Sequence, residues 1–449
     1  MNRIILIGNG FDLAHGLPTR YEDFINDYWE RFMYHCIYQD TSNVCGRYKY
    51  DCIDLKIPQN NWILSTLLPD GDNRFQNPNK KPISYIEFTE KFNELNKSFT
   101  RNEQKIQFSI SNQFLLHLLE TTNQNKEWVD VENEYYRFLS YYLNPKEHVG
   151  YEYGTVDILN KDFDVIKTEL ENYLDIVLSK SSISASKRIK DIIYSHFDLK
   201  DFVEKGRERI VEEEEKKINQ YFDYNVDPDN YRISKKTIPW IEQYRAQRDH
   251  GSFMLTDYLF DKNIADKHFD LQPDNILFLN FNYTNLDKFY SKNKGVKSEI
   301  IHIHGELKNK DNSMIFGYGD ELEENYRALE NLKDNAYLEN IKSMQYLESD
   351  NYKKLLSFIQ SSEYQIIILG HSCGNSDRTL LNTLFEHKNC VSIKPYYYRY
   401  KDKETGEIKD NYSDIVRNIS RNFTNKKSMR DKVVNKTFTD WFSEDLKDK

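Results

Sequence analysis

The sequence is poor in cysteine, proline and glycine, and it lacks any long apolar run. Its five cysteines are odd in number and none stands in a C-x-x-C pair, so they indicate neither a disulfide scaffold nor a zinc site. Residues 35–52 hold one histidine and three cysteines without that spacing, and we interpret these cysteines as free thiols. No segment reaches the roughly 18 apolar residues of a membrane span, and the run at residues 4–7 is too short for a signal peptide. These absences predict a cytoplasmic protein with no membrane partner and no metal.

Positive charge is also scarce, because 62 lysines and arginines face 72 aspartates and glutamates, for a formal net charge of -10. An acidic balance gives no general attraction to phosphates, so the sequence disfavours a nucleic-acid partner. The mean hydropathy of -0.79 is typical of disordered chains. The 33 tyrosines, 26 phenylalanines and 5 tryptophans argue the opposite, since each can bury a large apolar surface. We therefore expect a folded chain of 449 residues, enough for two or three domains of roughly 150 residues each.

Short isoleucine-rich runs bounded by glycine or asparagine predict buried strands at both ends of the chain. They are Arg3 to Ile7, Asn275 to Asn282, Glu299 to Gly305, Tyr364 to Gly370 and Val391 to Tyr398. Residues 313–319 predict a shorter strand or a loop. Because these runs are apolar throughout, they are typical of an open parallel α/β sheet covered on both faces.

Helical periodicity dominates the stretch between the first strand and the others. Residues 38–82 contain several proline, glycine and asparagine breakers and predict loops. Apolar spacing predicts helices over residues 21–32, 110–118, 128–142, 163–178 and 204–217. We thus predict an α/β core formed by residues 1–30 plus 270–449, and a large, mainly helical insertion domain formed by residues 31–269.

A glycine-containing loop follows the first strand. It reads Gly8-Asn9-Gly10-Phe11-Asp12-Leu13-Ala14-His15, and a helix is predicted to begin at Tyr21. Glycines let backbone N–H groups approach a phosphate, and a helix N-terminus adds positive partial charge, so the loop predicts a nucleotide site. Asp12 could bind a ribose hydroxyl or cap a helix, and His15 could line the ligand or lie at the surface. Valine at position 10 should then block the ligand with little loss of fold.

The segment I-L-I-G-N-G-F-D-L-A-H-G-L-P-T, residues 5–19, resembles the N-terminus of the AbiH family of phage abortive-infection proteins. The motif Trp128-x-Asp130-x-Glu132 extends that resemblance into the middle of the chain. The same N-terminal segment is similar to the nucleotide loop of sirtuins, with Asn9 and Asp12 in place of an alanine and a serine. The first resemblance implies an intracellular anti-phage protein, and the second implies a sirtuin-like Rossmann sheet that binds NAD.

Later strand ends resemble the rest of the sirtuin pattern, in the same order. Residues 280–284 resemble the sirtuin segment T-Q-N-I-D, with Asn282 at the matched asparagine. Thr284 departs from the pattern, because sirtuins have there the aspartate that holds nicotinamide. His304 matches the catalytic histidine of sirtuins, and the loop Gly370-His371-Ser372 with Asp377 is similar to the one that contacts the adenosine end.

This resemblance implies that NAD is the substrate and that His304 and Asn282 are catalytic. The residues implied to bind NAD are Gly8, Asn9, Gly10, Phe11, Asp12, His15, Thr284, Gly370, His371, Ser372 and Asp377. His302 precedes His304 by two residues and points to the same side if the strand is regular. Independently of any family, ligands of open α/β sheets bind beyond the carboxyl ends of the strands, where these residues fall.

Two further patterns admit catalytic interpretations. Residues 370–374, G-H-S-C-G, fit the G-x-S-x-G nucleophile elbow of serine hydrolases, but the only later histidine, His387, lies in the same predicted helix. Asp130 and Glu134 share a helix face and could be catalytic or structural. The paired C-x-x-C of the sirtuin zinc module is absent, which disfavours protein deacylation.

We predict an abortive-infection effector that cleaves NAD to nicotinamide and ADP-ribose. A non-catalytic sensor of NAD or a related nucleotide is one alternative, and a toxin directed at nucleic acid is another. An effector that harms its own cell must be held inactive until an unidentified phage-derived trigger arrives. Self-association into a homo-oligomer, or a partner, is the usual device for such control.

Overall fold

The central element of the fold is a mostly parallel sheet. The computed structural model describes residues 1–39, 46–57, 83–99, 105–121, 128–143, 154–224, 241, 255–292, 295–319, 321, 324–402 and 405–443. The strands in this part of the chain are β1 (Asn2–Ile7), β2 (Arg47–Tyr50), β3 (Ile53–Lys56), β4 (Gln107–Ile110), β5 (Asn275–Asn280), β6 (Lys297–His302), β7 (Tyr364–Leu369), β8 (Cys390–Lys401), β9 (Ile408–Asp410) and β10 (Trp441–Ser443). The sheet order is β10-β8-β7-β1-β5-β6, and β9 pairs with β8. Only the β8–β9 pair is antiparallel in this sheet, so the predicted α/β class is confirmed.

The five strands predicted from sequence correspond to β1, β5, β6, β7 and β8. Three of them end earlier than predicted, β5 at Asn280, β6 at His302 and β7 at Leu369. Asn282 and His304 therefore follow their strands rather than belong to them. Residues 313–319 form a loop in which Tyr318 makes an isolated bridge to Ile341.

β1 lies in the middle of the sheet, between β5 and β7, and all of its residues are buried. Ile5 and Ile7 pack into the apolar core on one face, and Ile4 and Leu6 pack into the core on the other face. Side chains alternate across a strand, so a strand covered on both sides needs apolar residues at consecutive positions. That requirement explains the apolar run at the start of the chain.

Helices supply the layers on both faces of the sheet. In this part of the chain they are α1 (Asn9–Ala14), α2 (Tyr21–Gln39), α3 (Tyr85–Ser98), α4 (Gln113–Glu120), α5 (Trp128–Tyr141), α6 (Val156–Lys180), α7 (Lys187–Ile193), α8 (Glu204–Tyr224), α9 (Leu255–Phe260), α10 (Lys262–His268), α11 (Glu324–Asn331), α12 (Lys342–Gln345), α13 (Asn351–Ser361), α14 (Arg378–Glu386), α15 (Tyr412–Arg421) and α16 (Lys426–Lys432). The helices predicted over 21–32, 128–142, 163–178 and 204–217 are confirmed as α2, α5, α6 and α8. Among the helices that the structure describes, none is long and apolar enough to cross a bilayer.

Two local predictions were wrong between α2 and α4. Loops were predicted over residues 38–82, but residues 47–56 form the hairpin β2–β3, to which β4 adds a third antiparallel strand. The helix predicted over residues 110–118 begins only at Gln113, because Ile110 pairs with Ile53 in β4. Each strand has only four residues, too short for alternation to stand out against a polar background. Residues 58–82 lie outside the described part.

The helices between β1 and β5 pack directly against the sheet. The core on the Ile5 face also contains Phe24 of α2, Phe114 of α4 and Phe163 of α6. The central sheet takes its strands from residues 2–7 and 275–443. The division into a core of residues 1–30 plus 270–449 and an insertion of residues 31–269 stays a prediction.

Candidate functional site

The loops after β1 and β7 are locked together by backbone hydrogen bonds. The N–H of Gly10 donates to the carbonyl oxygen of Gly370 at 2.8 Å, and the N–H of Gly8 donates to that of Leu369 at 3.2 Å. A Cβ atom on Gly10 would lie 2.8 Å from Cα of Gly370, and one on Gly8 would lie 2.5 Å from Cα of His371. These glycines are therefore required by the contact between the two loops. The expectation that valine at position 10 would leave the fold intact is wrong.

This contact also determines which backbone donors a phosphate could use. The N–H of Phe11 donates to the carbonyl oxygen of Gly8 at 2.8 Å, because α1 begins at Asn9 and closes its first turn there. The N–H groups of Gly8, Gly10 and Phe11 thus have protein acceptors in this arrangement. The side-chain oxygen of Asn9 accepts from the hydroxyl of Thr19 at 2.6 Å. A phosphate-binding role for this loop stays a prediction, and it would need donors other than these three.

Asp12 lies at the centre of a buried polar network beyond β1 and β5. Its Oδ1 accepts from the amide of Asn282 at 2.8 Å, and its Oδ2 accepts from the hydroxyl of Thr284 at 2.7 Å. Asn282 also donates to the carbonyl oxygen of Gly8 at 3.0 Å. Burial raises the pKa of Asp12 to about 7, although the hydrogen bonds from Thr284 and Asn282 lower it. Asp12 is thus neither a surface cap nor free for a ribose in this arrangement.

His15 also joins two parts of the chain. Its Nδ1 lies 2.7 Å from the carbonyl oxygen of Phe11, and its Nε2 lies 2.6 Å from the hydroxyl of Tyr290. The Tyr290 hydroxyl also accepts from the N–H of Ser186 at 2.6 Å. Nδ1 therefore donates to the carbonyl and Nε2 accepts from the hydroxyl, which fixes the ring. Burial lowers the pKa of His15, so the neutral form is favoured.

His304 lies two residues beyond the end of β6 and is only 5% exposed. Its Nε2 lies 3.1 Å from Oδ1 of Asp377 and 3.2 Å from the hydroxyl of Tyr346. The edge of its ring contacts Phe281, with 4.9 Å between the ring centroids. Nδ1 of His304 makes no hydrogen bond to any residue of the described ranges. Because Nε2 faces a carboxylate, the proton is held on Nε2 and Nδ1 is left as an acceptor.

Lys342 and Glu132 complete this second cluster. The Nζ atom of Lys342 lies 2.9 Å from Oδ1 of Asp377 and 2.8 Å from Oε1 of Glu132 in α5. Burial would lower the pKa of Lys342, but Asp377 and Glu132 raise it above its usual value. Burial would raise the pKa of Asp377, but Lys342 and His304 outweigh that effect and hold it well below its usual value. Lys342 and Asp377 are therefore both charged at neutral pH. Burial raises the pKa of Glu132 above its usual value, although Lys342 lowers it.

His371 and Ser372 lie in the loop after β7. Burial lowers the pKa of His371 to about 4, so its ring is neutral at physiological pH. Its Nδ1 accepts from the N–H of Cys373 at 2.9 Å, and its Nε2 lies 3.7 Å from Oδ2 of Asp377. Positive φ angles occur at Gly370 and Cys373 but not at Ser372. A nucleophile elbow holds its serine on a strained turn, so this loop lacks that geometry.

The other histidines and acidic residues singled out in the sequence lie in different surroundings. His302 ends β6, with its Nε2 3.4 Å from Oδ1 of Asp287. Because β6 ends there, His302 and His304 do not share partners. Glu134 pairs with His117 at 2.8 Å, which favours its structural interpretation. The side chain of Asp130 lies outside the described residues.

These contacts bring the predicted site residues into two adjoining networks at one edge of the sheet. Asp12, Asn282 and Thr284 belong to the first, and His304, His371 and Asp377 belong to the second. Phe281 directly precedes Asn282 of the first network, and its ring contacts His304 and His371 of the second, with centroids 4.9 Å and 4.3 Å away. Across the described ranges, no group of three His, Cys, Asp or Glu side chains could hold a metal ion.

A family model described as bacteriophage abortive infection AbiH matches residues 4–400. The chain belongs to the AbiH family. The match includes both polar networks, from Asp12 to Asp377, and the strands from β1 to most of β8. No curated protein matches the chain, and no solved structure matches it. Membership of AbiH indicates a role in abortive infection by phage.

Lys342 is the residue of this AbiH site that sequence reasoning missed. It lies in α12, outside the strand ends and outside every motif identified in the sequence. Glu132 was noticed only as part of the motif Trp128-x-Asp130-x-Glu132, without a role. No pattern in the sequence marks Lys342 as buried, because a lysine that follows Ile341 could equally be exposed.

Proposed function

We propose that this AbiH protein is an abortive-infection effector that cleaves the N-glycosidic bond of NAD, giving nicotinamide and ADP-ribose. The observation that carries the proposal is the buried pair of His304 and Asp377 beyond the end of β6. A histidine with one nitrogen held by an ionised carboxylate and the other unpaired is suited to general-base catalysis. The proposal includes a sirtuin-like arrangement of the sheet, with NAD beyond its carboxyl edge.

The proposed reaction uses few protein groups. The bond between ribose C1 and the nicotinamide nitrogen breaks, and its electron pair goes to the nitrogen. Water then attacks the oxocarbenium-like ribose, and Nδ1 of His304 accepts the proton that the water releases. Asp377 keeps the His304 ring in the required tautomer and stabilises the imidazolium that forms. Asn282 would orient the ribose or the water, as predicted from its position after β5.

The charges in the cluster favour a cationic substrate. Asp377 and Glu132 bring two carboxylates to one lysine, Lys342. The nicotinamide ring of NAD is cationic, and the ribose gains positive charge as the bond breaks. Preformed negative charge in a buried site stabilises developing positive charge more strongly than water does. Asp377, ionised beside His304, supplies such a charge and supports glycosidic cleavage over reactions that build up an anion.

The test is nicotinamide release from NAD by the purified full-length chain. His304→Ala should reduce turnover roughly a hundredfold to ten-thousandfold, as expected for loss of a general base. His302→Ala is the matched control, since Nε2 of His302 lies beside Asp287 rather than Asp377 and its Nδ1 contacts the backbone carbonyl of Asn282 rather than its side chain. It should retain most turnover per folded molecule. Phage protection in cells should follow the same order. A wild-type protein that releases no nicotinamide, or a folded His304→Ala protein that protects fully, would refute the proposal.

A second candidate function, a non-catalytic sensor of NAD or ADP-ribose, is favoured by Thr284. This residue replaces the sirtuin aspartate that holds nicotinamide, and its hydroxyl donates to Asp12. A site without that contact could retain the adenosine end of the ligand alone. Thermal stabilisation by ADP-ribose, together with no nicotinamide release from NAD, would support the sensor and exclude the enzyme.

A further inference from the structure

A buried lysine lies between two acidic side chains at the proposed site. Lys342 is 1% exposed, and its Nζ contacts Oδ1 of Asp377 and Oε1 of Glu132 at 2.9 and 2.8 Å. Oδ1 of Asp377 is also the atom that faces Nε2 of His304 at 3.1 Å. One carboxylate oxygen is thus shared between the lysine and the histidine. A stronger contact between this oxygen and Lys342 therefore weakens the attraction of Asp377 for a protonated His304.

Glu132 reaches this shared oxygen indirectly, from the helices between β1 and β5. It lies on α5 and is buried. The helix is fixed nearby, since the hydroxyl of Tyr135 donates to Asn160 at 2.7 Å and the ring of Tyr136 stacks on Tyr318 at 3.9 Å. Glu132 therefore holds Lys342 from a rigid helix outside the strand ends.

We propose that Lys342 and Glu132 are positioning residues. Through them helix α5 determines the orientation of Asp377, and thereby how readily His304 takes up a proton. Lys342 opposes protonation of His304 by neutralising Asp377, and Glu132 favours it by partly neutralising Lys342. The inference rests on the proposed function where it concerns turnover, and on geometry alone where it concerns protonation.

Several charged and titratable groups lie around His304 and its ion pairs. Asp377, Lys342 and Glu132 form the ion pairs, while His371 adjoins Asp377 and Tyr346 lies beside Nε2. Burial raises the pKa of Tyr346, of Tyr283 and of the Cys373 thiol, and burial lowers the pKa of His371 to about 4. These four groups remain neutral between pH 5 and 9 (roughly), so the ion pairs of the described residues determine the charge around His304.

The test compares Lys342→Met with Glu132→Gln. Loss of the lysine removes positive charge, so the acid limb of the pH profile of nicotinamide release should move up by roughly one pH unit. Loss of the Glu132 charge leaves Lys342 paired with Asp377 alone, so the limb should move down. The movement should be smaller than for Lys342→Met, because burial raises the pKa of Glu132 and so reduces the charge that the substitution removes. Lys342→Arg keeps the charge and should restore the wild-type limb. Shifts in the same direction, or none, would refute the positioning roles.

The matched control is Lys394→Met. Lys394 is also a buried lysine paired with an aspartate, Asp201, at 2.8 Å. That pair adjoins Gln365 and Arg3, near the starts of β7 and β1 and thus away from the proposed site. Lys394→Met should lower the melting temperature without moving the acid limb. A shift equal to that of Lys342→Met would mean that any buried lysine produces the effect.

A second measurement separates this inference from the proposed reaction. In nitrogen-15 spectra of histidine-labelled protein, the pH at which the His304 ring gains its proton should rise in Lys342→Met and fall in Glu132→Gln. These shifts without nicotinamide release would refute NAD cleavage and support the positioning roles. Nicotinamide release without opposite shifts would support the enzyme and refute the positioning roles. Melting curves confirm that each variant is folded.

Discussion

The N–H of Gly10 donates to the carbonyl oxygen of Gly370 at 2.8 Å, across 360 positions of sequence. Gly370 has a φ of +74°, and a Cβ atom on it would lie 2.1 Å from the backbone nitrogen of Phe11. Two glycines are thus needed on opposite sides of one contact. This contact fixes the distance between the two polar networks, because each network begins in one of the two loops.

Replacing Gly10 by alanine should destabilise the fold. The new Cβ would lie 2.8 Å from Cα of Gly370, a backbone atom that cannot rotate away. Overpacking of this kind costs about 1–3 kcal/mol, measured as the free energy of unfolding in urea. Gly154→Ala is the control, since its Cβ would meet only the end of the Ile158 side chain. Equal stability of the two variants would mean that the loops can separate without cost.

Replacing Asn282 by alanine should also destabilise the fold, whatever its effect on turnover. Its amide donates to Oδ1 of Asp12 and to the carbonyl oxygen of Gly8. Without it Oδ1 of Asp12 would remain buried without a donor, while the Gly8 carbonyl would keep the N–H of Phe11. One buried acceptor left without a donor costs roughly 1–3 kcal/mol, which denaturant unfolding can resolve. Asn172→Ala, at an exposed position of α6, should change stability by less than about 0.5 kcal/mol. If Asn282→Ala were as stable as the wild type, Asn282 would have a role in ligand binding and none in stabilising the fold.

Asp12 should make the protein less stable as the pH rises. Its pKa is about 7 in the folded protein and near 3.8 otherwise, so the folded state binds the extra proton between those values. The contribution of Asp12 to the free energy of unfolding is fully present below about pH 4. It is lost as the pH rises to 7, by up to about 1.4 kcal/mol per pH unit. Asp12→Asn, which cannot ionise, should flatten the stability between pH 5 and 8 (roughly) in urea unfolding. Glu22→Gln, at an exposed position of α2, should leave the slope unchanged.

His371 should make the protein less stable as the pH falls, the opposite of the effect of Asp12. Its pKa falls to about 4 on folding from a usual value of 6.5, so the unfolded state binds more protons between those values. The contribution of the neutral His371 ring to the free energy of unfolding is fully present above about pH 6.5, and it is lost as the pH falls toward 4. His371→Gln should remove this acid-sensitive part of the unfolding free energy. A wild-type slope in the variant would show that other groups cause the acid loss.

The sequence was sufficient to predict the strands of the sheet and the polar residues that follow them. Both signals are local, because a strand buried on two faces reads as a continuous apolar run and its end is marked by glycine or asparagine. The partners of those residues were not predictable. That Gly10 contacts Gly370, or that Lys342 reaches Asp377, depends on distances between segments that no spacing encodes. The small sheet of β2, β3 and β4 was missed because four-residue strands carry too little pattern.

The central place of β1 has a consequence for how the protein is made. Residues 2–7 are synthesised well before both strands that flank them, β5 and β7. At roughly 5–20 residues per second, β7 is complete about 20 to 70 seconds after β1. Until then β1 lacks at least one of its two partner strands, and Asp377, the partner of His304, has not been synthesised. A chain that has not been translated past Asp377 therefore has no assembled site and no activity that depends on it.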